Sequence, residues 1–192
     1  MSFTLKEFEN HLFKQEIALG ADLKRKVFVR STFDHCDFTK SQFTNSRFVE
    51  CKMIASNFSL VNLDGCRLQD CAFENCKLVG VNFTKCEKLF LSLRFKNCLI
   101  ETCNFSDLDL KGTPFLECQI RDTHFTNTNL TEAVFTGSDL RGSLFHNADL
   151  RKANFQGAIN YSINPLTNKL LKAKFSKPEV MTLLDHLGIL ID

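Results

Sequence analysis

Nine cysteines and five histidines are the residues of this 192-residue chain best suited to chemistry. Thiols and imidazoles could hold zinc, two thiols could form a disulfide, and a Cys–His couple could act as nucleophile and base. Their spacing points elsewhere. Cys36, Cys51, Cys66, Cys71, Cys76 and Cys86 are separated by multiples of five. Cys98, Cys103 and Cys118 keep the same step after a shift of two residues. Zinc sites and disulfide frameworks need paired spacings of their own. His11, His35, His124, His146 and His186 are scattered, and the chain has no glycine-rich phosphate loop or nucleophile elbow. The expectation is a non-enzymatic protein with no cofactor and no metal, whose thiols are buried filler.

A step of five must therefore come from the architecture. From Leu23 through Phe28, Phe33 and on to Phe83, every fifth residue is apolar. The step slips by two and resumes from Phe90 through Phe95 and Ile100 to Phe155. A second slot, two residues before each centre, holds mostly Ala, Ser, Thr, Cys or Val, with Lys26, Lys88, Leu93 and Leu108 as exceptions. A period of five is neither strand nor helix. Two buried positions two apart point the same way from an extended segment, and a bend then starts the next side. From Phe95 onward the centres alternate Phe with Leu or Ile. Four sides per coil turn that alternation into pure stacks of Phe and pure stacks of aliphatic residues; three sides would mix them. Residues 21–157 then make between six and seven coils, a rod roughly 30 Å long at the ~4.8 Å spacing of paired strands.

Ala21-Asp22-Leu23, Ala148-Asp149-Leu150 and Ala153-Asn154-Phe155 carry a resemblance to the pentapeptide-repeat family, whose consensus is Ala-(Asp/Asn)-Leu-x-x. The resemblance implies an all-β, right-handed quadrilateral β-helix with four pentads per coil. Residues 1–20 are read as an N-terminal cap, with Phe3, Phe8, Leu12, Phe13 and Ile17 as packing residues. Residues 158–192 are read as a C-terminal capping and dimerisation segment, since a solenoid has two open ends to cover. There Ser176-Lys-Pro-Glu179 has the form of a capping box before a short helix that Gly188 ends. Val180, Leu183, Leu184, Leu187, Ile189 and Ile191 are its cap or dimer residues. Two readings of this tail stand: a simple cap, or a cap that also joins two copies.

Charge is the other informative feature. The net charge is +2, which gives no global pull toward nucleic acid or anionic membrane. Residues 21–99 sum to +5 and residues 100–150 to −5. The acids of the second half are Glu101, Asp107, Asp109, Glu117, Asp122, Glu132, Asp139 and Asp149, a candidate partner-binding face. The slip contributes a candidate partner-binding loop of Lys85, Glu87, Lys88, Leu89 and Leu91, with Leu89 or Leu91 exposed; a tolerated insertion is the alternative. The chain resembles the quinolone-resistance branch of the family in Lys85-Cys86-Glu87, in the run Asn104 to Leu110, and in a Leu-Leu-x-x-Leu-Gly-Ile tail from Leu183 to Ile189. That resemblance implies a cytoplasmic homodimer, joined by its C-terminal segments, that mimics DNA and binds DNA gyrase or topoisomerase IV. The alternatives are a scaffold for another protein and direct nucleic-acid binding through Lys24, Arg25, Lys26 and Arg30. The last is disfavoured, because a short basic cluster is ordinarily solvated surface. No membrane role is expected: no apolar stretch approaches ~18 residues, and the first ten residues lack the basic start and apolar run of a secretory signal.

Overall fold

The computed structural model describes residues 3–189. Short parallel strands stack with a repeat of 20 residues: Phe8 pairs with Phe28, Phe28 with Phe48, and Phe48 with Leu68. Across the slip the offset becomes 22, so that Phe73 pairs with Phe95 and Leu78 with Ile100. Twenty residues of pentads per turn are four sides, as the Phe/aliphatic alternation requires. The molecule is a right-handed quadrilateral β-helix of about eight turns.

Each side takes its form from its five residues. The centre and the slot two before it point inward, and the flanking residues point out. The last residue of each pentad turns the corner with a left-handed backbone, as at Asn45 (φ 58°), Asn75 (φ 55°) and Asp107 (φ 58°). Asn, Asp and Gly are common there because they tolerate that conformation at least cost.

The interior is organised by rings. The first side carries Phe83 and Phe105, the second Leu110 and Leu130, the third Phe95 and Phe115, and the fourth Ile100 and Ile120. From the fifth coil onward the Phe residues of the first and third sides form two continuous stacks. Phe95, Phe115, Phe135, Phe155 and Phe175 follow one another at 4.9 to 5.1 Å with interplanar angles of 1–10°. Phe83, Phe105, Phe125 and Phe145 do the same at 4.5 to 5.4 Å. The two stacks meet edge to face: Phe115 and Phe125 lie 5.8 Å apart at 87°. Both arrangements suit the ring quadrupole. In the fourth coil Leu63, Leu68, Phe73 and Leu78 supply one ring, where the third supplies three in Phe43, Phe48 and Phe58. A small apolar void opens at this under-filled level.

The slot is more than small. Ser46 Oγ donates to the Leu23 carbonyl at 2.7 Å and Ser138 Oγ to that of Phe115 at 2.8 Å. Each also accepts a backbone N–H from the coil below, from Lys26 and Cys118 respectively. Cys51 and Cys71 direct their thiols to the carbonyls of Phe28 and Phe48. Ser, Thr and Cys recur there because a buried backbone group without a partner is costly. All nine Cys are buried.

Several expectations need correction. Residues 3–20 are not a separate cap: Phe3, Phe8, Phe13 and Ala18 line a further coil in register, while Leu12 and Ile17 face outward and are exposed. The rod also runs past residue 157. Asn154–Phe155 pairs with Lys174–Phe175, so the coil count exceeds the six to seven expected. Phe90 is not a core centre. It is 39% exposed, and Leu91 packs against the core in its place, because the two extra residues are expelled just before it. The Ser176 capping box does not form: Ser176 Oγ instead accepts from the Gly157 N–H, and the helix begins after Pro178 with no side-chain cap. That helix, Glu179–Leu187, has the tighter 3-10 geometry and ends on left-handed Gly188.

Candidate partner-binding surface

The eight acids of residues 100–150 do not share a face. Asp109 and Asp149 project from the second side and Glu101 and Asp139 from the fourth, while Asp107, Glu117, Asp122 and Glu132 occupy corners after four different sides. The cause is the register: residues ten apart lie on opposite sides of the rod. Several are also tied locally. Asp149 pairs with Arg151 at 2.6 Å and Glu132 with Lys152 at 3.0 Å. The hydrogen bonds from Arg151 and Lys152 hold the two carboxyls below their usual range. Asp107 and Asp109 accept from Asn127 and Asn129 on the next coil.

The slip, by contrast, is a built feature. The chain makes two short 3-10 turns, Phe83–Lys85 and Lys88–Phe90. Glu87 is held by Arg67, Nε to Oε2 at 2.9 Å, and the same guanidinium lies 4.0 Å over the Phe90 ring. Lys88 Nζ donates to the Asp107 carbonyl at 3.1 Å. Both stems of the turn are thus pinned, and Leu89 at its tip is 84% exposed. Leu91, also proposed as exposed, is half-buried. Arg67 and Phe90 were not among the expected loop residues. The signal for Arg67 was present in the sequence, since Glu87 stands one 20-residue coil after it. Arg67→Ala should speed tryptic cleavage after Lys88 by about two- to fivefold while moving the melting temperature by only a few degrees, since a solvent-side cation–π contact contributes about 0.5–1 kcal/mol. Equal cleavage rates in the two proteins would show that Arg67 does not hold the turn.

The C-terminal helix covers the last coil loosely. Leu183 packs against the core and Val180 and Leu184 are half-buried, whereas Leu187 and Ile189 are exposed. Ile191 lies outside the described residues. Leu166, Leu171 and Met181 add exposed apolar surface at the same end.

A family profile described as the pentapeptide repeat region matches residues 26–101 and 88–156, most of the chain. The chain is a pentapeptide-repeat protein. Among solved structures, this pentapeptide-repeat protein is similar to HetL, a protein involved in heterocyst differentiation regulation from the cyanobacterium Nostoc. The TM-score is 0.52 and the identity 16%, over 88% of this chain and 84% of that one. It is also similar to QnrB1, a plasmid-mediated fluoroquinolone resistance protein. There the TM-score is 0.45 and the identity 15%, over 95% and 100% of the two chains. At 16% identity the likeness to HetL speaks to the fold alone. No curated protein sequence matches the chain. Among the described residues no helix is long and apolar enough to cross a membrane, and no group of three or more His, Cys, Asp or Glu could hold a metal ion.

Proposed function

We propose that this pentapeptide-repeat rod acts, without catalysis, by docking on another protein through the bulge at residues 84–91. The observation that carries the reading is Leu89, a fully presented apolar side chain on a turn pinned from both stems, on a rod whose interior is filled. Preorganised apolar anchors of this kind concentrate binding energy. The partner proposed is a type II topoisomerase, DNA gyrase or topoisomerase IV, which the rod protects from quinolones in the cytoplasm. The support is the local resemblance at Lys85 to Glu87, Asn104 to Leu110 and Leu183 to Ile189. Contact through the bulge suits the geometry better than contact through a DNA-like anionic face, because the acids are dispersed around the rod. The exposed Leu166, Leu171, Met181 and Leu187 support a homodimer joined at the C-terminal ends.

A gyrase supercoiling assay with ciprofloxacin tests the reading. The protein should restore supercoiling at micromolar concentration, and Leu89→Asp should need at least tenfold more, as loss of a central anchor implies. If the parent protein neither protects nor inhibits, the topoisomerase is not its partner, and a scaffold for a different protein becomes the better reading. Light scattering on Leu171→Asp/Leu187→Asp checks the dimer; a mass unchanged from the parent would refute it.

A further inference from the structure

The acidic sum of residues 100–150 gives way to a basic one beyond it, +3 over residues 151–192. Around the rod, the second side and its corner gather Lys111, Arg151, Lys152, Lys169 and Lys172, against Asp109, Glu132 and Asp149. Glu132 and Asp149 are engaged by Lys152 and Arg151. Lys111, Lys169 and Lys172 make no ion pair among the described residues. The outward file on this side runs Lys111, Thr131, Arg151, Leu171, and the corner file beside it runs Gly112, Glu132, Lys152, Lys172.

In the outward file Lys111 and Arg151 flank the shorter Thr131, and in the corner file Gly112 leaves a gap before three long side chains. Gly112 has no side chain and Thr131 a short one, and a Cβ built on Gly112 would meet nothing within 4 Å. Thr131 forms the low floor of an open furrow of about 260 Å³ lined by Lys111, Glu132, Arg151, Lys152, Leu171 and Lys172, so that Glu132, itself paired with Lys152, stands among four cations. A second cleft of about 170 Å³ continues it past Lys111 toward Arg94.

We propose that this furrow is a second interaction surface and that it takes a short acidic peptide segment of a partner protein. From Lys111 to Lys172 the furrow crosses three coil spacings, about 14 Å at ~4.8 Å each, the span of roughly four extended residues. The cations without ion pairs stand near its two ends, where carboxylates of such a segment would meet them. A short peptide fits the local field, since charges more than about 8 Å away are screened at physiological salt. A nucleic acid fits it poorly. A polyanion follows phosphates beyond the furrow and would be driven onto Asp109, Asp149 and Glu117. This surface does not depend on the topoisomerase reading, although it borders the bulge at Leu91 and the proposed dimer end at Leu171.

Fluorescence anisotropy with a labelled five-residue poly-glutamate peptide, about the length of the furrow, beside a labelled ten-nucleotide oligothymidylate, separates the possibilities. At 50 mM salt the peptide should bind in the micromolar range and more tightly than the oligonucleotide. Lys111→Glu/Lys172→Glu should weaken it at least tenfold, whereas Lys40→Glu/Lys52→Glu, elsewhere on the rod, should leave it unchanged. All four residues lie on the surface, so melting temperatures should agree with the parent within a few degrees. No peptide binding, equal loss in both double variants, or tighter binding of the oligonucleotide would each overturn the proposal.

Discussion

Phe115→Ala should lower the free energy of unfolding by about 3–5 kcal/mol, the range for deleting a buried Phe ring. Phe115 is fully buried, stacked between Phe95 and Phe135 at 5.0 Å on each side, and edge-on to Phe105 and Phe125. Its loss removes a ring from the middle of a stack whose coils hold only their immediate neighbours. In a solenoid, stability is close to a sum of coil terms and coil–coil terms. The damage should therefore be local enough to uncouple the two halves. Denaturant titration should show an earlier and broader transition. Hydrogen exchange should rise most in the coils around residue 115, with those near Phe28 changing least. A uniform rise along the rod would mean that the whole molecule unfolds as one unit. Phe3→Ala, at the end of the rod and with one neighbouring coil, should cost clearly less.

The second large effect is alkaline instability. Burial pushes the thiols of Cys51 and Cys103 up to about 11 and that of Cys86 up to about 12, from an ordinary value of 9.0. Cys76 and Cys118 are raised by their hydrogen bonds to Cys98 and then by burial. Well below pH 9 the thiols of Cys51, Cys86 and Cys103 are protonated in both folded and unfolded chains, and stability does not depend on them. Above pH 9 the unfolded chain sheds these protons while the folded chain keeps them, so the unfolded state gains. The loss continues to about pH 11 for Cys51 and Cys103 and to about pH 12 for Cys86. Each such thiol costs about 1.4 kcal/mol per pH unit, so these three alone cost about 4 kcal/mol per unit. Thermal melts from pH 7 to 11 should be flat up to about pH 9 and fall steeply beyond. Cys51→Ser/Cys86→Ser/Cys103→Ser should flatten the fall, since Ser46 and Ser138 already occupy the same kind of slot elsewhere. A parent protein that melts at the same temperature at pH 8 and pH 10.5 would refute the linkage.

The solenoid was legible because its signal repeats. A Phe at 95, 105, 115 and 125 is weak evidence taken singly and strong evidence at constant spacing. The alternation specified four sides because only that count sorts the rings into stacks. Features that occur once were harder to read. Phe90 kept the apolar step but not the inward direction, since two inserted residues can be expelled at any of several positions and only packing decides which. Ser176 carried a capping signature that was overridden when its hydroxyl was used by Gly157. The acids from Glu101 to Asp149 looked like one surface in linear order. Their distribution follows from the coil register, which could have been applied to them as it was to the Phe residues. The same register would have paired Arg67 with Glu87.

The 20-residue coil also constrains how a gene for this rod can change. Duplicating or deleting sixty base pairs adds or removes one coil and leaves every other residue facing as before. Most smaller in-frame changes shift the downstream chain by a number that is not a multiple of five and turn core rings toward water. The turn at residues 84–91 shows the exception, two additional codons absorbed by looping outward from one side, over Arg67–Gln69. Length variation in this lineage should therefore come in whole coils, with short insertions confined to outward loops.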